Sequence, residues 1–170
     1  MKIETLDDLL FEELRELYDA ELRLVEALPG MAGNTASETL RQAFQQHHQQ
    51  TVEHVRRLER GFRELGKDAG RATANGMKGL IADGERAIES IPLSPLRDAS
   101  LIGAARCVEH YEIAAYSTAI LFATLLGFQK IGDLLEQTLR EEQQTDARLT
   151  EIAETAVNQE ARQLGAHQRG

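Results

Sequence analysis

Apolar residues recur every three or four positions along most of the chain, which is the spacing of an amphipathic helix. This pattern predicts four long helices, over residues 5–28, 35–65, 94–127 and 129–164. A shorter stretch with the same periodicity, residues 77–91, lies between the second and third of them. Polar and glycine-containing segments separate these elements. The pattern contains no run of alternating apolar and polar residues of the kind that predicts strands.

Short motifs at the ends of the apolar stripes define where the helices begin and end. Thr5-Leu6-Asp7-Asp8 and Thr35-Ala36-Ser37-Glu38 are capping-box sequences, in which a hydroxyl and an acidic side chain satisfy the first free amides of a helix. Pro29-Gly30 is predicted to end the first helix and Gly66 the second. Ser94-Pro95 supplies an N-cap followed by proline at the first helical position, so the third long helix is expected to begin there.

The helix order predicts how the elements are arranged. Residues 5–65 and 94–164 each form a helical hairpin, and the connection between them is long enough to cross a bundle. We therefore expect an all-α, ferritin-like four-helix bundle whose crossover connection carries the short extra helix. Residues 1–164 would form this single domain. Residues 165–170 have nothing to bury and are expected to be a disordered tail.

Polar side chains interrupt the apolar stripe near the middle of every long helix. A buried carboxylate destabilises a fold by several kcal/mol unless it is paired, hydrogen-bonded or bound to a metal. Such interruptions on all four helices can meet at one level of the bundle, and a binuclear metal centre is their simplest common cause. The interrupting residues are Glu21 on the first helix, His47 and His54 on the second, Glu109 and Glu112 on the third, and Glu142 and Asp146 on the fourth.

The chemistry of these residues favours two divalent ions of iron or manganese. Glu21, Glu112, Glu142 and Asp146 would carry four negative charges, which match two divalent cations. Glu109 could be a fifth ligand or accept a hydrogen bond from a ligand. The candidate ligands are Glu21, Gln50, His54, Glu109, Glu112, Glu142 and Asp146.

The ligands on the second helix are less clearly defined than those on the other three. Gln50 is included because it stands one helical turn before His54 and borders the same face. His47, considered alone, is more often a core or boundary histidine, so it is not expected to bind metal.

Composition excludes several other classes of function. A net charge of −9 argues against a nucleic-acid partner, whose phosphates need a basic face. No apolar run approaches the roughly 18 residues of a membrane span, and the N-terminus lacks the apolar region of a secretory signal, so a cytoplasmic protein is expected. Cys107 is the only cysteine. It permits neither an intrachain disulfide nor a cysteine-rich zinc site, and we expect it to be buried as a small apolar residue.

Several short segments of the sequence are distinctive, and the most specific is Val108-Glu109-His110-Tyr111-Glu112-Ile113-Ala114. The others are Tyr18-Asp19-Ala20-Glu21, Ala43-Phe44 through His47, Glu141-Glu142, Thr145-Asp146 and Leu149-Thr150. Together they resemble the YciE/YciF-type ferritin-like family of bacterial proteins, and the resemblance covers about residues 3–160. The resemblance implies a cytoplasmic ferritin-like bundle, a homodimer, a di-metal centre and a role in stress. Members of the family often have Glu at the position of Gln50, so one metal position is expected to be weaker in this chain.

Two functions from different classes are consistent with the sequence. The first is a non-haem di-metal protein that binds two ions of iron or manganese and could oxidise Fe(II) with oxygen or peroxide. The second is a metal-free helical protein of the stress response, in which the buried polar groups fix helix register. The sequence identifies no catalytic residue in either case.

Overall fold

The structure is a computed structural model that describes residues 2–70 and 72–166. Within these residues it consists of helices and connecting loops. The helices are α1 (Leu6–Gly33), α2 (Glu38–Leu65), α3 (Asn75–Ser90), α4 (Pro95–Leu125), α5 (Gln129–Ile152) and α6 (Asn158–Ala166), with a π-helical turn over Ala153–Val157 between the last two. Of the predicted tail, Gly165 and Ala166 complete α6. Residues 167–170 lie outside the described residues.

Most of the predicted helix ends are confirmed. The Thr5 hydroxyl accepts a hydrogen bond from the Asp8 amide, and the Asp8 carboxylate accepts one from the Thr5 amide, both at 3.1 Å. Ser94 caps α4 with Pro95 at its first position. Gly66 ends α2 with φ of 62°, a backbone conformation that glycine adopts without steric strain.

The predicted end of α1 at Pro29-Gly30 is wrong, because the helix continues to Gly33 with Pro29 inside it. A proline within a helix removes one amide donor. Burial of Ala32 in the core favours the extra turn. The Asn34 side-chain amide also donates to the Gly30 carbonyl at 2.9 Å. Tertiary packing therefore outweighs the local signal from proline.

The predicted capping box at Thr35 is also wrong, since Ser37 is the N-cap of α2. The Ser37 hydroxyl accepts from the Leu40 amide at 3.3 Å. A buried carboxylate from α4, Asp98, accepts from the amides of Ala36 and Ser37 at 2.9 and 2.7 Å. This long-range anchor fixes the loop between α1 and α2, and it has no signature in the local sequence.

The predicted ferritin-like four-helix bundle is confirmed. Helices α1 and α2 form one hairpin and α4 and α5 the other, with α1 beside α4 and α2 beside α5. One apolar cluster joins the beginning of α1, the end of α2, the end of α4 and the beginning of α5. The chain must therefore travel the length of the bundle between α2 and α4. It does so through α3, which packs against α4 and α1.

Close packing where α3 begins requires a glycine. A Cβ atom on Gly76 would lie 2.8 Å from Cε2 of the Tyr111 ring on α4, too close for any larger residue without a shift of that ring. The predicted short helix on the crossover connection is thereby held directly against the third long helix.

Two apolar clusters fill the two halves of the bundle. One contains Leu10, Leu14 and Phe62, and the other contains Leu28, Phe44 and Leu101. Buried polar side chains from all four long helices lie between them. Cys107, which was expected to be buried, is exposed. Among the described helices, none has a stretch long and apolar enough to cross a membrane.

Candidate metal centre

Six ionisable side chains are buried together between the two apolar clusters. Each is at most 3% exposed, although charged residues are rarely buried so completely unless they have a partner. All four long helices contribute to the group. Its members are Glu21 from α1, His47 and His54 from α2, Glu109 and Glu112 from α4, and Glu142 from α5.

These side chains form two overlapping ligand groups. The first is His47, Glu109, Glu112 and Glu142, and the second is Glu21, His54 and Glu142. Within each group, one ligand atom from every residue lies within 4.8 Å of the others. Glu142 belongs to both groups and therefore connects them.

In the first group, His47 Nε2 lies 3.2 Å from Glu109 Oε1 and 3.9 Å from Glu142 Oε2. The outer nitrogen, Nδ1, lies 3.4 Å from the Thr145 hydroxyl. Because that hydroxyl donates its proton to the Glu141 carbonyl, it can accept a proton from Nδ1. This arrangement would leave the lone pair of Nε2 directed towards the carboxylates.

In the second group, His54 Nδ1 lies 2.8 Å from Glu142 Oε1 and 3.3 Å from Glu21 Oε1. Glu21 Oε1 also accepts a hydrogen bond of 2.5 Å from the Tyr116 hydroxyl, which is fully buried. Glu21 is thus held from outside the group by Tyr116, and its Oε2 makes no hydrogen bond.

Among the described residues, eight buried side-chain polar atoms make no hydrogen bond of acceptable geometry, and all eight belong to these six residues. Two of the eight, His54 Nδ1 and Glu142 Oε1, lie 2.8 Å apart as an ion pair. Buried polar groups are almost always hydrogen-bonded. Carboxylate oxygens and imidazole nitrogens are also the donors that iron and manganese prefer. The donor set therefore fits divalent cations of this kind. The atoms are Glu21 Oε2, His47 Nε2, His54 Nδ1, Glu109 Oε2, and both oxygens of Glu112 and Glu142.

Burial raises the pKa of all four carboxyl groups above their ordinary range. The pKa of Glu109 rises to about 8. That of Glu112 rises well above its usual value because Glu21, Glu142 and Glu109 add like-charge repulsion to the burial. The pKa values of Glu21 and Glu142 are raised as well, although His54 partly opposes the effect of burial. Uncompensated negative charge is thus unfavourable in this interior.

The two histidines differ in pKa because their surroundings differ. Burial lowers the pKa of His47, and the neighbouring Glu142 does not offset it. Burial acts in the same direction on His54, but Glu21 and Glu142 raise its pKa to about 11. In the metal-free protein His54 is therefore an imidazolium that partly neutralises the carboxylates, whereas His47 is neutral.

Five of the seven ligands predicted from the sequence are brought together, and two lie elsewhere. The carboxylate of Asp146 pairs with Arg106 at 2.8 Å and with His110 at 3.4 Å, and it is part of neither ligand group. Gln50 is half-buried and lines a small cavity of about 70 Å³ with Gln46 and Gln144. Glu21, His54, Glu109, Glu112 and Glu142 are the five that meet.

The sequence analysis named His47 among the polar interruptions but did not favour it as a ligand, although helix geometry contained a signal for it. His47 and His54 are seven residues apart, a separation that returns a helix to within about 20° of the same direction. Gln50, four residues before His54, is rotated further, by about 40° at 3.6 residues per turn. The two imidazoles lie side by side with ring centroids 6.4 Å apart.

Comparison with known proteins identifies the family. Residues 5–162 match the family described as "Domain of unknown function (DUF892)". The chain belongs to the DUF892 family. It is 39% identical over 162 residues to Protein YciF of Escherichia coli (strain K12), a match that covers 95% of this chain and 98% of YciF. The resemblance to YciF-type proteins noted in the sequence is confirmed.

Solved structures agree with this membership. The crystal structure of the E. coli stress protein YciF matches the DUF892 chain with a TM-score of 0.88 over 92% of this chain and 99% of YciF, at 39% identity. YcfI from Rhodopseudomonas palustris, described as a candidate structural protein, matches with a TM-score of 0.85 at 33% identity over 88% of this chain and 95% of YcfI. Protein XCC3681 from Xanthomonas campestris has a TM-score of 0.74 over 96% and 99% of the two chains. Its 19% identity supports the fold alone.

Proposed function

We propose that this protein binds two divalent transition-metal ions, iron or manganese, in the middle of its helical bundle. Glu21 and His54 would hold the first ion, at what we call the Glu21 position. His47, Glu109 and Glu112 would hold the second, at the Glu109 position. Glu142 would bridge the two. The observation that carries this proposal is the convergence of six buried ionisable side chains on one region, with eight polar atoms that no hydrogen bond satisfies.

The charge of the site supports two cations rather than one. Glu21, Glu109, Glu112 and Glu142 together carry four negative charges when ionised, which two divalent ions balance. Glu109 thereby supplies the fourth negative charge, which the sequence analysis assigned to Asp146. Mixed carboxylate and imidazole ligation without thiolates is typical of iron and manganese sites in ferritin-like bundles.

A pair of iron ions held in this way would supply two electrons to oxygen or peroxide, which makes Fe(II) oxidation the reaction class that we propose to test. The protein's own contribution would be binding and exclusion of water. Leu17 and Leu24 lie one turn on either side of Glu21, and both are 1% exposed. Such apolar surroundings keep the ligands desolvated and strengthen their attraction for cations.

The alternative is a structural protein without metal, a role in line with the description of YcfI. In that role the buried polar groups would fix helix register by bonding to one another. Structural networks of this kind are normally satisfied. Glu112, with both oxygens buried and unpartnered, is the residue that this alternative explains least well.

Metal content distinguishes the two functions. Protein purified without a tag and without chelators should contain about two equivalents of iron or manganese by elemental analysis. Because an ion that binds only the folded state stabilises it by mass action, added Mn(II) or anaerobic Fe(II) should raise the melting temperature of the chelator-treated protein. At one hundred times the dissociation constant, the free energy of unfolding should increase by about 2.7 kcal/mol.

Metal-free protein that shows no thermal shift with either ion would favour the structural role. If ions bind, stopped-flow absorbance should show whether Fe(II) is oxidised faster with the protein than with the Glu112→Leu variant. The homodimer expected from the family resemblance stays a prediction, which sedimentation velocity would test.

A further inference from the structure

The imidazole of His54 has one nitrogen inside the candidate metal centre and one outside it. Nδ1 lies among the carboxylates, as described above. Nε2, on the opposite side of the ring, lies 2.8 Å from Glu141 Oε2 and donates its proton to that carboxylate. Glu141 immediately precedes Glu142 on α5. Glu141 and Glu142, which are adjacent on α5, therefore each contact one nitrogen of the His54 ring.

Glu141 is itself fixed by a two-point ion pair with Arg57. The two guanidinium nitrogens lie 2.7 and 2.8 Å from the two carboxylate oxygens, and Arg57 also donates to the Thr138 hydroxyl at 3.1 Å. Glu141 is thus held in a fixed orientation by a cationic partner, with its side chain 21% exposed.

The corresponding outer partner of His47 is much weaker. Nδ1 of His47 lies 3.4 Å from the hydroxyl of Thr145, a neutral group. A carboxylate that accepts the outer proton of an imidazole makes the inner nitrogen a more basic ligand than a hydroxyl does. The two positions of the proposed metal pair therefore differ in the groups that support their histidines.

We propose that Glu141, held by Arg57, is a positioning residue that orients His54 and makes its Nδ1 the stronger of the two histidine donors. This inference rests on the proposed metal-binding function. It predicts that removal of Glu141 weakens metal binding at the Glu21 position and leaves the Glu109 position unchanged. Removal of such an outer carboxylate typically weakens metal binding by about 10-fold to 100-fold.

The orientation of the ring can be tested without metal. In chelator-treated protein labelled with ¹⁵N-histidine, the Nε2 proton of His54 should give a downfield, slowly exchanging resonance, assigned by its absence from His54→Gln. Glu141→Ala should abolish this resonance. Glu141→Gln, which keeps an oxygen acceptor, should retain it with an upfield shift. An unchanged resonance in Glu141→Ala would overturn the inference, whatever the protein binds.

Mn(II) titration, followed by the electron paramagnetic resonance signal of the free ion, tests the consequence for binding. Glu141→Ala should weaken one of the two positions by about 10-fold to 100-fold, and Glu141→Gln should weaken it by less. Thr145→Val is the matched control on the same helix, and it should weaken only the other position.

The outcomes separate this inference from the proposed function. Two wild-type binding positions that Glu141→Ala leaves unchanged would overturn the inference alone. Wild-type protein that binds no Mn(II) and no Fe(II) would overturn the proposed function, and the positioning role with it. Glu141→Ala could fail to fold because Arg57 loses its partner, and in that case both measurements are made on Glu141→Gln. An unshifted Nε2 proton resonance of His54 together with an unchanged affinity for Mn(II) would then overturn the inference.

Discussion

The Tyr116 hydroxyl donates a 2.5 Å hydrogen bond to Glu21 Oε1 at the level where the two apolar clusters of the bundle meet. Both side chains are fully buried. The bond joins α1 to α4 and leaves Glu21 Oε2 without a partner. Burial and the charge of Glu21 raise the pKa of Tyr116 well above its usual value, so the phenol stays protonated and remains a donor.

Tyr116→Phe should therefore destabilise the metal-free protein. Loss of a hydrogen bond to a buried carboxyl group leaves that group unsatisfied and lowers the free energy of unfolding by about 1–3 kcal/mol. Urea denaturation followed by circular dichroism would measure the change. Tyr18→Phe is the control, because its partly buried hydroxyl bonds to Glu59 at a longer distance of 3.3 Å. Equal effects of the two substitutions would contradict the importance of the Glu21 contact.

Glu112→Leu should separate metal binding from stability. Both oxygens of Glu112 are buried without partners, so an apolar side chain of similar volume should stabilise the metal-free bundle by about 1–4 kcal/mol. The same substitution should remove binding at the Glu109 position in a manganese titration. Glu136→Leu is the control, because it makes the same change of charge and volume at an exposed site of α5. It should neither stabilise the metal-free bundle nor remove metal binding. Unchanged metal content in Glu112→Leu would exclude Glu112 as a ligand.

The pKa of Glu109 predicts how the stability of the metal-free protein depends on pH. With a folded pKa of about 8 against an ordinary 4.5, the native state keeps a proton that the unfolded chain has lost between these values. The unfolding free energy must then fall as pH rises through this window, by at most about 1.4 kcal/mol per pH unit from this group.

Glu109→Gln cannot ionise and should show a shallower decline between pH 6.5 and 8. Measurement in this interval avoids most of the opposite effect of His47, whose lowered pKa makes stability rise with pH below its ordinary value of 6.5. Chelator-treated wild type, Glu109→Gln and the surface control Glu136→Gln would be compared by denaturation at each pH. Parallel curves for wild type and Glu109→Gln would contradict the raised pKa.

The fold could be predicted because each helix carries its own signal. Periodicity placed the first three long helices and the crossover helix, but it gave one helix over 129–164 where the structure has α5, a π-helical turn and α6. The caps at Thr5 and Ser94 follow from rules that act within one turn. The errors arise where distant residues decide. Asp98 anchors the loop before α2, and core packing of Ala32 carries α1 past Pro29. Neither contact is visible as a periodic pattern in the sequence.

The candidate site could be predicted in part for the same reason. A carboxylate in the apolar stripe is visible as a break in the pattern, which is why Glu21 and Glu112 were found. Asp146 also breaks the stripe, but an ion pair with Arg106 from α4 holds it at the edge of the bundle. A polar residue turns inward or pairs at the surface according to the residues that face it from the neighbouring helix. The sequence of its own helix does not show which residues those are.

His47 and Gln50 provide the most direct test of the site. The sequence favoured Gln50 as a ligand, whereas the structure places His47 Nε2 within 3.2 Å of Glu109 and Gln50 in a groove between α2 and α5. His47→Gln should therefore remove a nitrogen donor and weaken the Glu109 position by at least about 10-fold, the scale seen when metal sites lose even outer partners. Gln50→Glu should leave both dissociation constants within about two-fold.

Calorimetric titration of Mn(II) into the two variants and the wild type would measure both constants and the stoichiometry. Gln50→Glu adds a negative charge without a buried ligand atom, so any gain in affinity should be small and should disappear at high salt, where charges near the surface are screened. A gain that persists at high salt, together with unchanged binding in His47→Gln, would return Gln50 to the ligand set. His47 would then be a core histidine held by Thr145.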